Sequence, residues 1–199
     1  MISSQLKELL LQSLVHEQGG VLVYQTALTC AIHPDLQREW EEYLAQTESH
    51  VEILTRTCEA LGLDAGEMTP GCQIVQHNGQ ALVVAMEMAL AAADAPAAEL
   101  VACECVVLAE TKDHANWELI GECAKGADEE VASHLQAAYD EVEDQEDEHL
   151  YHTKGWCREL WLKSLGLKAL LPPPEETRDV KSAVEAQAAR KATRSLRTN

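Results

Sequence analysis

Apolar residues recur at steps of three and four along five segments of this 199-residue chain, the period of one face of an α-helix. In the first segment, about Ser3 to Ile32, the stripe reads Leu6, Leu10, Leu14, Glu17, Val21, Tyr24 and Leu28. Glu17 is its one charged member. His33-Pro34-Asp35 breaks the pattern, and Pro34 suits the first turn of a new helix. The second helix is predicted from Pro34 to about Leu61, with Trp40, Tyr43, Thr47, His50, Leu54 and Leu61 inward. Gly62 ends it, and a loop runs to Gly71. A shorter helix follows from Cys72 to Ala93, interrupted or weakened near Gly79. Pro96 opens a long helix to about Cys123 whose stripe is Leu100, Cys103, Val107, Glu110, His114, Trp117 and Gly121. The last helix is predicted from Asp128 to Leu165, with Val131, Leu135, Ala138, Val142, Gln145, His149, His152 and Trp156 in step and Glu146 beside them. Pro172-Pro173-Pro174 closes the compact part. The expected organisation is a helical bundle over residues 1–172 and a basic tail, disordered or helical, over 173–199.

Four long helices and a short connecting one predict an all-α four-helix bundle with a crossover helix and a C-terminal tail. Composition agrees: 46% of residues are hydrophobic but only 4% aromatic, with no Phe, so Ala, Leu and Val carry the core. No internal repeat reshapes this picture, although the two halves share the same helix-pair logic.

Each long helix carries a polar interruption near mid-length: Glu17, His50, Glu110 with His114, and Glu146 with His149. An uncompensated buried carboxylate is costly, and several in one core require a compensating charge. A pair of metal ions is the simplest one, and facing helices of a bundle are where such pairs are held. Residues three or four apart share a helix face. Glu146 and His149 can therefore give one ion two ligands, and Glu110 and His114 also share a face. The position three before His50 is Thr47, not Glu, and Asp113 replaces Glu110 if that helix is rotated. Each residue also has a plainer reading, as a hydrogen-bonded core histidine or a solvated acid. The coincidence on four helices favours the metal.

The formal charge of −19 argues against binding nucleic acid or an anionic membrane. Between Asp128 and Glu148 there are ten acids and no Lys or Arg. The final stretch reverses sign through Lys181, Arg190, Lys191, Arg194 and Arg197, against Glu185. Such a tail can fold back, bind a partner or be solvated. Seven scattered cysteines, with no C-x-x-C, and an N-terminus without a secretory pattern predict a reducing, cytoplasmic setting. No apolar run is long enough to span a bilayer.

The stretch Tyr43-Leu-Ala-Gln-Thr-Glu-Ser-His50-Val-Glu-Ile-Leu54 resembles the second-helix signature of the YciF-type ferritin-like proteins. The preceding His33-Pro34-Asp35-Leu36 turn is similar to theirs, as is Gly71-Cys72-Gln at the start of the crossover. The order of helix pair, crossover and second pair agrees over roughly residues 5–165. The resemblance implies a ferritin-like, rubrerythrin-like bundle holding two metal ions, usually iron, with a role in stress responses. It implies Glu17 and His50 as ligands, Asp113 or His114 near the ligand of the third long helix, and Glu143 and Asp147 near the acidic motif of the last. That last placement competes with Glu146 and His149, which facing geometry and spacing favour. Thr47 stands where the resemblance implies a Glu.

The leading expectation is thus a di-metal protein, iron or manganese, that reacts with O2 or peroxide in iron oxidation or stress protection, as a ferroxidase or peroxidase-type oxidoreductase. Hard carboxylates suit the higher oxidation states and imidazoles the divalent ions. The expected ligands are Glu17, His50, Glu110, His114, Glu146 and His149. Thr47, Asp113, Glu143 and Asp147 are supporting or alternative positions, and no catalytic residue is separate from the metals. A homodimer or higher homo-oligomer is the expected state. The rival reading is a non-catalytic bundle that associates with proteins through its acidic body and basic tail. Thiol redox chemistry at Cys103 and Cys105 is a third reading, disfavoured because residues two apart on a helix point to different sides.

Overall fold

A computed structural model describes residues 2–92 and 94–193. Its long helices are α1 (Ser4–Cys30), α2 (Pro34–Ala60), α3 (Pro70–Ala92), α4 (Ala95–Gly126) and α5 (Glu129–Ser164), and the described residues form no strand. Local chemistry sets their ends. Ser3 and Asp94 cap α1 and α4 by accepting from the amides of Leu6 and Ala97. Pro34 occupies the first turn of α2. Gly62 and Gly166 take positive φ values of 73° and 72° after α2 and α5, where a left-handed residue lets following amides turn back to helix carbonyls.

The pairs α1–α2 and α4–α5 pack as hairpins, and contacts α1–α4 and α2–α5 close a four-helix ring. Helix α3 lies outside it, across α1 and α4. It runs unbroken through Gly79, contrary to the expected weakening; Ala93, the last residue expected in it, lies outside the described residues. A Cβ built on Gly79 would be 3.7 Å from the Cα of Gly19, so this glycine pair lets the two backbones approach closely. That contact offsets the roughly 1 kcal/mol an interior glycine costs a helix.

The core divides into two apolar clusters. One contains Tyr24, Leu36, Trp40, Val106 and Trp156; the other contains Leu10, Leu14, Leu54, Ile120 and Leu135. On every long helix of the ring the chain leaves one cluster and joins the other across a buried polar stretch: Glu17 on α1, Thr47–His50 on α2, Glu110–Asp113 on α4 and Glu146–His149 on α5. A polar layer therefore crosses the middle of the bundle.

Beyond α5 the chain returns along it. Buried Glu175 accepts from both terminal nitrogens of Arg158, at 2.6 and 2.7 Å. A 3-10 turn at Glu176–Arg178 precedes α6 (Ala183–Ala192). Val180, Ala186 and Ala189 pack together against Tyr151, and Lys181 Nζ lies 2.7 Å from Glu148. This part of the basic stretch is folded on the acidic helix; Arg194 and Arg197 lie outside the described residues. No described helix is long and apolar enough to cross a membrane.

Candidate metal centre

Five of the six residues expected as ligands meet in the polar layer. Glu17, His50 and Glu146 form one triad, and Glu110, Glu146 and His149 form a second, each with ligand atoms within 4.8 Å of one another. Two donors on opposite sides of an ion, each at about 2.1 Å, stand about 4.2 Å apart, so small shifts would close either triad on a metal. All five residues are buried. Glu146 belongs to both triads and can bridge them.

Both imidazoles face the cluster with the same atom. His50 Nδ1 lies 3.1 Å from Glu146 and 3.5 Å from Glu17; His149 Nδ1 lies 3.5 Å from Glu110 and 3.7 Å from Glu146. Their outer nitrogens donate to glutamine carbonyls, His50 Nε2 to Gln145 at 2.7 Å and His149 Nε2 to Gln46 at 2.6 Å. Such outer bonds fix ring orientation and leave the inner nitrogen to a metal. The carboxylates are held likewise. The Trp117 indole donates to Glu17 at 2.7 Å, and the Tyr24 hydroxyl donates to Glu110 at 2.8 Å.

These bonds disclose a two-fold relation that the sequence reading missed. Gln46-Thr47-x-x-His50 on α2 corresponds to Gln145-Glu146-x-x-His149 on α5, and each glutamine serves the other helix's histidine. Tyr24 is seven residues after Glu17 and Trp117 seven after Glu110, and each serves the other helix's glutamate. The shared Gln four residues before each His was the available signal. Two positions break the symmetry: Thr47 corresponds to Glu146, and Gly20 to Asp113.

The remaining expected residues divide. Asp113 is buried beside the cluster. His114 belongs to neither triad: it is half-buried, with Nε2 2.8 Å from Asp147 and Nδ1 3.8 Å from Glu118. The rotation of α4 that brings Glu110 and Asp113 inward puts His114 on the flank. Glu143 is exposed and Asp147 half-buried beside it, and Thr47 is buried without a carboxylate to offer.

Among the described residues, Glu17 Oε2, Glu110 Oε2, both Glu146 oxygens, Asp113 Oδ1 and both inner histidine nitrogens make no well-formed hydrogen bond. Buried polar atoms are ordinarily paired, so this concentration of orphans matches a site for cations. Burial opposes charge on His50, but Glu146 and Glu17 outweigh it and push its pKa up to about 11. Burial pushes Glu146 up to about 7, against the pull of His50. Burial and then the charges of Glu17, Glu146 and Glu110 hold Asp113 well above the carboxylate range. Burial also works to raise Glu110, but His149 and Tyr24 overcome it and lower its pKa.

These shifts fix how the metal-free protein responds to pH. His50 has its folded pKa raised, so its contribution is full below its ordinary 6.5 and is lost as pH rises toward 11. Raised Glu146 and Asp113 act with the same sign. Burial depresses His16 and His152, which act the opposite way, but only below about 6.5. Melting of the protein in EDTA should therefore fall by on the order of 5 °C from pH 7 to 8.5. A rising melting temperature over that interval would contradict the charge assignment.

No cysteine belongs to either triad. All seven cysteines are free, and burial pushes Cys103 well up and Cys105 up to about 11, away from the thiolate that exchange requires. No protein-family model, curated protein or solved structure matches the chain.

Proposed function

We propose that this chain is a di-metal carboxylate protein of the ferritin-like class, in which Glu17 and His50 hold one ion, Glu110 and His149 hold the other, and Glu146 is shared. The observation that carries the reading is the convergence of orphaned carboxylate oxygens and inner imidazole nitrogens from four helices. Oxygen and imidazole donors without thiolate suit iron or manganese. Such ions would supply the one-electron steps by which O2 or peroxide is reduced, in iron oxidation or stress protection. The resemblance of Tyr43–Leu54 to the YciF-type signature supports this reading.

The chain's own residues do the rest. Gln145 and Gln46 hold the imidazole Nε2–H groups and present both Nδ1 atoms inward. Tyr24 occupies Glu110 Oε1 and leaves Oε2, which faces His149, to a metal, while Trp117 fixes Glu17 through Oε1, the oxygen 3.5 Å from His50. Asp113 lies beside Glu17, and burial followed by the Glu17 charge raises its pKa. The apolar clusters on both sides exclude water, so these charges act in a medium of low dielectric. Each triad has three residues with Glu146 common to both, and Thr47, its counterpart on α2, offers no second carboxylate. Exposed Ile74, Val84 and Met88, on one face of α3, support the expected homo-oligomer. The unpaired thiols fit a cytoplasmic setting.

The test is metal content by mass spectrometry on untagged protein, loaded anaerobically with Fe(II) and then exposed to air. About two irons per chain and a new near-ultraviolet absorption band on oxidation are expected. Protein that retains no metal would overturn the reading.

A further inference from the structure

A small cleft of about 90 Å³ opens beside the polar layer, lined by His114, Trp117, Glu118, Tyr139, Glu143, Glu146 and Asp147. Of the five triad residues, Glu146 alone lines it. Glu146 is 2% exposed, and neither of its oxygens has a hydrogen-bond partner among the described residues. A buried carboxylate shared by both triads, 3.1 Å from His50 but without a well-formed hydrogen bond, thus forms part of a cleft that solvent reaches. Glu118 and Glu143 are exposed at that cleft, and His114 bonds Asp147 between them. No Lys or Arg lines it.

We propose that this cleft is a loading site for a divalent cation, in which Asp147, Glu143, Glu118 and His114 take the ion from solvent and Glu146 draws it into the cluster. The inference rests on the di-metal reading and adds the route by which that centre is filled. A hydrated divalent ion carries about six waters, and protein donors along an entry path can replace some of them. Three carboxylates and an imidazole are the groups present to do so, and no Lys or Arg on the wall opposes their attraction. The proposal also gives a role to His114, Glu143 and Asp147, which the fold keeps out of the triads.

The test follows Co(II) uptake by its visible absorption in a stopped-flow instrument, comparing wild type with the Glu118→Gln/Glu143→Gln/Asp147→Asn variant. Loading should slow by about 10-fold at low ionic strength, and the difference should shrink in high salt. The equilibrium stoichiometry should be unchanged. A control variant, Glu129→Gln/Glu130→Gln/Asp140→Asn, removes the same charge from exposed positions on α5 outside the cleft and should load at the wild-type rate. The proposal is overturned if the cleft variant loads as fast as wild type, if the control slows equally, or if the cleft variant loses stoichiometric binding. Wild type that takes up no Co(II) would sink the di-metal reading and the route together. Normal wild-type loading with an unslowed cleft variant would sink the route alone.

Discussion

Replacing Glu146 by Gln is expected to abolish retention of both metal ions while leaving the metal-free bundle folded at pH 8. The first effect follows from sharing: Glu146 is the one residue common to both triads, so its charge and an oxygen donor are lost from both at once. Substitutions among groups that merely orient a metal ligand already cost 10–100-fold in affinity, so removing a shared ligand should cost more than about 100-fold at each position. The second effect follows from burial. The Glu146 pKa of about 7 means that the neutral acid is already half-populated at neutral pH, and Gln copies its shape without its charge. At pH 8 the variant no longer buries that charge but loses one of the two carboxylates that hold a proton on His50, and the two changes oppose each other. Iron content and melting curves with and without EDTA measure both effects. Retention of two irons would remove Glu146 from the centre. Collapse of the metal-free variant would instead show that Glu146 acts as a structural hydrogen-bonding residue, as the non-catalytic reading requires.

The helices were legible because their stripes are long and their punctuation is chemically strong. Pro34 is the first residue of α2, and Gly62 stands two residues after its last. Gly79 misled because propensity was read without its partner: the approach of Gly19 is a tertiary fact, and no local pattern announces it. At the site, Glu17, His50 and Glu110 stood on their stripes, and the Glu146–His149 turn stood out by spacing. His114 was harder to place because residues 110, 113 and 114 are all compatible with one broad face, and a small rotation of α4 decides which of them turn inward. The outer layer was least legible. Gln46 and Gln145 are uncharged and near the surface, and their meaning lies in reaching across to a histidine on another helix. Trp117 and Tyr24 read as core, which they are, but their polar ends hold carboxylates.

The two-fold relation makes the asymmetry of the centre a testable property. Where α5 carries Glu146, α2 carries Thr47; where α4 carries Asp113, α1 carries Gly20. One half of the polar layer therefore has two more carboxyl groups than the other. Burial, and then the charges of Glu17, Glu146 and Glu110, raise the Asp113 pKa well above the carboxylate range. The distribution limits how much negative charge the metal-free core must bear. Without metal, further acid in this layer would meet either uncompensated charge or another costly proton.

Thr47→Glu tests that balance by supplying the absent carboxylate three residues before His50, on the same helix face. Thr47 is buried, and a Cβ built on Gly20 would lie 3.2 Å from Thr47 Cγ2, so the two positions border each other. The metal-free variant should melt about 5–10 °C lower than wild type, because another acid buried without a partner costs several kcal/mol and each kcal/mol is worth about 2–4 °C in a chain of this size. With metal the sign should reverse. The ion held by Glu17 and His50 gains a charged ligand, so Co(II) should bind that position about 10-fold more tightly or better, and metal should raise the melting temperature by more than it does in wild type. Titration by visible absorption and melting with and without EDTA read the two halves of the prediction separately. A variant that is destabilised alike with and without metal, and binds Co(II) no more tightly, would show that the space beside His50 is core packing and not an open side of a metal centre.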